Sequence, residues 1–151
     1  MYTIRRFYQL KIYTMIIDGR ALAERLLGEL SIKIQQLDTP PQLSVILVGE
    51  NAASLSYIRQ KERAARIAGL EFELHRLPEA TTEDELIEMI HALNQDRSVH
   101  GIIVQLPLPE KIDTNKIIDI IDPRKDVDGF TSENIGKLFL GRADLVCCTP
   151  K

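Results

Sequence analysis

Apolar and polar positions follow two rhythms along this chain, a helical one near 3.6 and short unbroken apolar runs, and the two take turns. From Asp18 onward, Leu22, Leu26, Leu30, Ile34 and Leu37 recur at spacings of four, four, four and three. That predicts an amphipathic helix that buries one stripe, with Asp18 as its cap. Pro40 and Pro41 end it, since proline cannot donate to a ladder and pushes its predecessor toward extended backbone. Leu43 to Val48 is then a short apolar run rich in β-branched residues and closed by Gly49, the mark of a buried strand passing into a loop. A second helix follows and stops at Gly69, with Ala53, Ala64, Ala65, Ile67 and Ala68 free to pack.

The alternation continues downstream. Glu71 to Leu77 reads as a second strand, and the capping box of Thr82 and Glu85 opens a helix carrying Leu86, Met89, Ile90 and Leu93. Gly101 to Leu106 is a third strand, apolar except for Gln105, and Pro107 and Pro109 forbid it from continuing as a central strand. Ile117, Ile118, Ile120 and Ile121 fill a short helix that Pro123 stops. Strands that are apolar throughout and separated by helices require a sheet covered on both faces. The fold predicted is therefore a three-layer α/β/α domain with a mostly parallel sheet and right-handed crossovers.

Composition narrows the class. The chain has 151 residues, 44% hydrophobic and 27% charged, which suits one soluble globular domain. A net charge of −3 and 5% aromatics offer no basic surface for a phosphate backbone, so no nucleic-acid partner is expected. Cys147 and Cys148 are adjacent, an arrangement that suits neither an ordinary disulfide nor a metal knuckle and fits a reducing compartment. His75, His91 and His100 are scattered with no ligand spacing around them, so no metal is expected. Residues 1–14 carry Arg5, Arg6 and Lys11 without an acid. They lack the apolar core of a secretory signal or membrane span and are expected to be disordered, either a targeting segment or the product of a start placed upstream of Met15.

Candidate chemistry gathers where a parallel sheet binds ligands, at the carboxyl ends of its strands. Ser54, Tyr57 and Lys61 fall at spacings of three and four along one face of the second helix. Taken alone, a Tyr and a Lys one turn apart are usually an exposed pair with the lysine stem over the ring. Gln105, near the end of the third strand, either faces the crevice or is a strand-end amide satisfied by the neighbouring loop. Asp126 and Asp128 bracket Val127 ahead of Gly129. Such a turn uses Asp for local backbone bonds, and the segment supplies too few oxygens for a cation, so one Asp is read as structural and the other as facing a ligand.

Collected in order, IIDGRALA, VGENAASLSYIRQK, GIIVQLPLP, KDVDGF, ENIGKL and CTPK resemble the catalytic domain of the bifunctional methylenetetrahydrofolate dehydrogenase/methenyltetrahydrofolate cyclohydrolase family, over Met15 to Lys151. The resemblance implies an amino-acid-dehydrogenase-like N-terminal domain at residues 15–151. It also implies oxidation of methylenetetrahydrofolate with NADP and hydrolysis of the methenyl product to formyltetrahydrofolate. Lys61 is then the catalytic residue of the hydrolysis, Gln105 its partner, Tyr57 the residue packing on or orienting the folate, Asp128 the holder of the pterin ring, and Ser54 a supporting hydrogen-bond group. A cytoplasmic homodimer without a membrane partner, serving one-carbon metabolism and purine biosynthesis, is implied as well.

Two departures qualify the resemblance. Cys147 stands where the family commonly has proline before CTP, which touches only a local turn. In the family a Rossmann-type domain that binds NADP follows the CTP segment, and no G-x-G-x-x-G stretch occurs in these residues. No cofactor-binding residue is therefore expected here, and the chain is read as a catalytic half. The alternatives are an inactive folate-binding or regulatory fragment, and a short-chain dehydrogenase. The latter also uses Tyr-x-x-x-Lys but needs a glycine-rich loop well ahead of it.

Overall fold

The computed structural model describes residues 18–146. The expectations for residues 1–14 and for Cys147, Cys148 and the CTPK segment lie outside them. The elements in chain order are α1 (Gly19–Ile34), β1 (Gln42–Val48), α2 (Ala52–Ala68), β2 (Glu71–Leu77), α3 (Glu83–Gln95), β3 (Val99–Val104), α4 (Thr114–Ile120) and α5 (Ser132–Phe139). One parallel sheet of order β2-β1-β3 sits at the centre, with Val45 level with both Leu74 and Ile103. The predicted pairing of the first and third strands is thus observed, and β1 lies between its two neighbours.

Alternating side chains of β1 leave the sheet on opposite faces, and each face has its own core. Val45 and Leu47 pack with Ile103 of β3 and Ile58 of α2. Ile46 and Val48 pack with Ile102 and Val104, and against Leu86, Ile90 and Leu93 of α3 and Ile117 of α4. Local rules set the ends of the helices. The capping box closes in both directions, Glu85 N–H donating to Thr82 Oγ1 (3.3 Å) and Thr82 N–H to Glu85 Oε2 (2.8 Å). Gly69 ends α2 with φ +87°, a left-handed value a side chain resists.

Three expectations need correction. Asp18 does cap α1, accepting from Ala21 N–H, but the apolar stripe of α1 is not buried. Leu22, Leu26, Leu30 and Leu37 are exposed and only Ile34 is enclosed. Periodicity marks the face a helix offers, whereas burial needs a neighbour, and among the described residues the helix with which α1 makes extensive contact is α2. In α2, Ala65 and Ala68 are buried but Ile67 points to solvent and Ala53 is exposed. β3 begins and ends two residues earlier than predicted, so Gln105 and Leu106 belong to the following loop. α5, capped by Thr131, was not among the predicted helices because ENIGKL is too short to show a helical period. Among the described residues no helix is long and apolar enough to cross a membrane.

Candidate functional site

The site is assembled where α2 passes the loop that leaves β3. Asn51 caps α2 by accepting from Ser54 N–H at 3.1 Å. Ser54, fully buried, turns its hydroxyl to the Leu106 carbonyl at 3.3 Å. Two turns further along the same face, Lys61 Nζ donates to Gln105 Oε1 at 3.3 Å. The Gln105 amide is held from two more sides. Its Nε2 donates to the Leu106 carbonyl at 2.8 Å and its backbone N–H to Ile46 at 2.8 Å. Both readings of Gln105 therefore apply, since its nitrogen is satisfied by the loop while its oxygen is aimed at Lys61.

Asp126 and Asp128 divide the work of their turn. Asp126 is buried and accepts from Gly129 N–H (2.9 Å), Thr131 N–H (2.8 Å) and Asn134 Nδ2 (3.0 Å). Burial alone would push its carboxyl up, but the bonds from Thr131 and Asn134 outweigh that and hold it below the ordinary range. Asp128 is half-buried in a small recess lined by Ile103, Val104, Leu106 and Phe130. Burial raises its pKa; the Lys61 charge opposes this and the Asp126 charge adds to it. Lys61, Gln105, Ser54 and Asp128 thus share one neighbourhood. Tyr57 stands on the exposed side of α2, 61% open to solvent and without a hydrogen bond among the described residues.

Sequence reasoning missed two contributors. The Leu106 carbonyl, on which Ser54 and Gln105 converge, is backbone and carries no residue-type signal. Asn134 is buried although it lies in the first turn of a mostly exposed helix, and only its place in ENIGKL marked the segment at all. Among the described residues no group of three His, Cys, Asp or Glu side chains is placed to hold a metal ion.

A larger cleft of about 830 Å³ opens at the carboxyl ends of β1 and β2, between Gly49, Asn51, Arg76, Glu79, Pro107 and Pro109. A strand, a glycine with φ +79° and a helix N-terminus are the parts from which phosphate cradles are made. Here the Glu79 carboxylate occupies the space beside Gly49 that a side chain, or an approaching phosphate, would need. An anion in that place disfavours a pyrophosphate beside Gly49 while the Glu79 side chain keeps this direction.

Residues 17–128 match the family model for the tetrahydrofolate dehydrogenase/cyclohydrolase catalytic domain. The bifunctional protein FolD of Streptococcus agalactiae is 50% identical over 141 residues, covering 91% of this chain and 50% of that protein. FolD of Ehrlichia canis is 50% identical over 142 residues, covering 90% and 47%. Among solved structures, the FolD dehydrogenase/cyclohydrolase of Campylobacter jejuni superposes with a TM-score of 0.85 at 42% identity, over 87% of this chain and 48% of that one. The Trypanosoma brucei enzyme, solved with NADP cofactor and inhibitor, gives 0.84 at 33% identity, over 89% and 48%. The chain spans about half the length of the relatives it matches.

Proposed function

This chain belongs to the tetrahydrofolate dehydrogenase/cyclohydrolase family, and from that membership we propose that residues 15–151 form the folate-binding catalytic domain of an enzyme of one-carbon metabolism. The reaction assigned to these residues is hydrolysis of methenyltetrahydrofolate to formyltetrahydrofolate. The observation that carries it is the 3.3 Å bond from Lys61 Nζ to Gln105 Oε1, beside a carboxylate, Asp128, that no described residue hydrogen-bonds. Water adds its oxygen to the electron-poor methenyl carbon and gives up a proton. Collapse of the adduct breaks one carbon–nitrogen bond, returns a proton to the released nitrogen and leaves the formyl group. Lys61, steered by Gln105, is the group placed to move those protons. Asp128 accepts paired N–H bonds from the pterin, and Tyr57 offers its ring to the substrate while Ser54 supports the loop.

Oxidation of methylenetetrahydrofolate is read as NADP-dependent, with the dinucleotide held by residues other than those described, a reading that the Glu79 carboxylate beside Gly49 supports. A cytoplasmic homodimer contributing to purine biosynthesis completes the proposal, without a nucleic-acid or membrane partner. The test follows the absorbance decay of methenyltetrahydrofolate with the 151-residue chain. Protein-dependent decay is expected and is lost in Lys61→Ala. Lys61→Arg does not restore it, because a guanidinium stays charged and cannot serve as a base near neutral pH. In parallel, no NADP reduction from methylenetetrahydrofolate is expected. Decay that persists unchanged in Lys61→Ala removes Lys61 from the mechanism.

A further inference from the structure

The carboxylate of Asp128 has no hydrogen-bond partner among the described residues, so its direction is inherited from the backbone that carries it. That backbone is fastened on the far side of Asp128 by bonds running back to Asp126, from Gly129 N–H and Thr131 N–H. Asp126 is in turn fastened by Asn134, whose Nδ2 donates to Asp126 Oδ2 at 3.0 Å and to the Pro123 carbonyl at 2.9 Å. Asn134 is 2% exposed. It is not needed to cap its own helix, because Thr131 Oγ1 already accepts from the Asn134 N–H. Its amide is aimed across a gap in sequence at the turn that presents Asp128.

We infer that Asn134 is a positioning residue for the folate site, acting through Asp126 to set the direction of the Asp128 carboxylate. The inference rests on the folate reading only for what Asp128 binds. The alternative role, an ordinary buried amide that stabilises the fold, makes a different prediction. A stabilising group removed at random loosens the protein without regard to whether Asp128 is present, whereas a positioning group loses its effect on binding once Asp128 is gone. The charge relation is consistent with the geometry. Held ionised by its bonds, Asp126 stands as a fixed anion near Asp128 and adds to the burial that raises the Asp128 carboxyl.

The experiment prepares the 151-residue chain as wild type, Asn134→Ala, Asp128→Ala and the double variant, with Asn134→Leu, which fills similar space without a donor, in place of alanine if the latter fails to fold. In the free protein the Hα–Hβ couplings of Asp128 report its side-chain direction by nuclear magnetic resonance. One rotamer is expected in the wild type and an average in Asn134→Ala. Equilibrium dialysis with 5-formyltetrahydrofolate as the probe then gives the affinities. Asn134→Ala is expected to weaken binding about tenfold, as a misplaced binding group does, and to change nothing further in the Asp128→Ala background. Unchanged couplings, or an equal loss in both backgrounds, overturn the inference. A wild-type chain that binds no folate defeats the folate reading instead, and the couplings then still decide whether Asn134 directs Asp128.

Discussion

Asp128 feels the Lys61 charge from a recess that only half shields its carboxylate from water. Burial lifts the Asp128 carboxyl above its ordinary 3.8, and Lys61 pulls in the opposite direction. Lys61→Ala is therefore expected to raise the Asp128 midpoint further, an upward shift that a carbon-detected carboxyl titration checks directly. The same raised value has a consequence for folding. An acid whose pKa is higher in the folded state costs stability once pH exceeds that folded value, and costs nothing below the unfolded one. Asp128→Asn should accordingly fold more stably than wild type near pH 7 and lose that advantage as pH falls below about 3.8, as urea midpoints at the two pH values will show. A gain in stability from deleting a half-buried carboxylate is the usual sign of a group kept for something other than stability. Asp126 shows the contrast, since three donors satisfy it and its removal is expected to destabilise.

Strand β3 bears on the site through a residue with no side chain. Gly101 has an ordinary φ and is small for another reason, as an added Cβ would lie 2.7 Å from Val127 Cγ1. Val127 sits against β3 next to the parallel bridge between Ile102 and Asp126, and so it seats the turn that carries Asp128. Gly101→Ala must push Val127 outward. The expected cost is about 1–3 kcal/mol of stability for overpacking, together with weaker folate binding, measured by urea unfolding and dialysis on one preparation. In sequence, Gly101 read only as the start of a strand. The closeness of Val127 arises from pairing across 26 positions (127 − 101) and leaves no local trace. α5 is a similar case, because its one buried residue, Asn134, is polar and therefore silent in any hydrophobic pattern.

The molecule as a whole is a sheet with two cores and an outlying helix, and equal-looking leucines meet different fates in it. Leu86 of α3 is fully enclosed, while Leu26 of α1 is 50% exposed. Leu86→Ala is expected to cost about 2–5 kcal/mol, whereas Leu26→Gln should stay within about 0.5 kcal/mol; a large loss at Leu26 in thermal unfolding would show that α1 packs elsewhere in solution. Sequence alone was sufficient for the three strands, the parallel sheet and the helices with a clear hydrophobic period, because periodicity, caps and turn chemistry act over a few neighbouring positions. It was sufficient also for the family, because several motifs kept their order and spacing. What motif spacing left open was how the two aspartates differ in their bonds, whether the Gln105 amide faces Lys61 or its own loop, and whether the α1 stripe finds a cover. Each of those depends on groups brought close from distant positions, Asn134 to Asp126, Lys61 to Gln105, and α2 beside α1. Packing in three dimensions settles them, since a side chain's hydrogen bonds and exposure belong to its surroundings in space rather than to its neighbours along the chain.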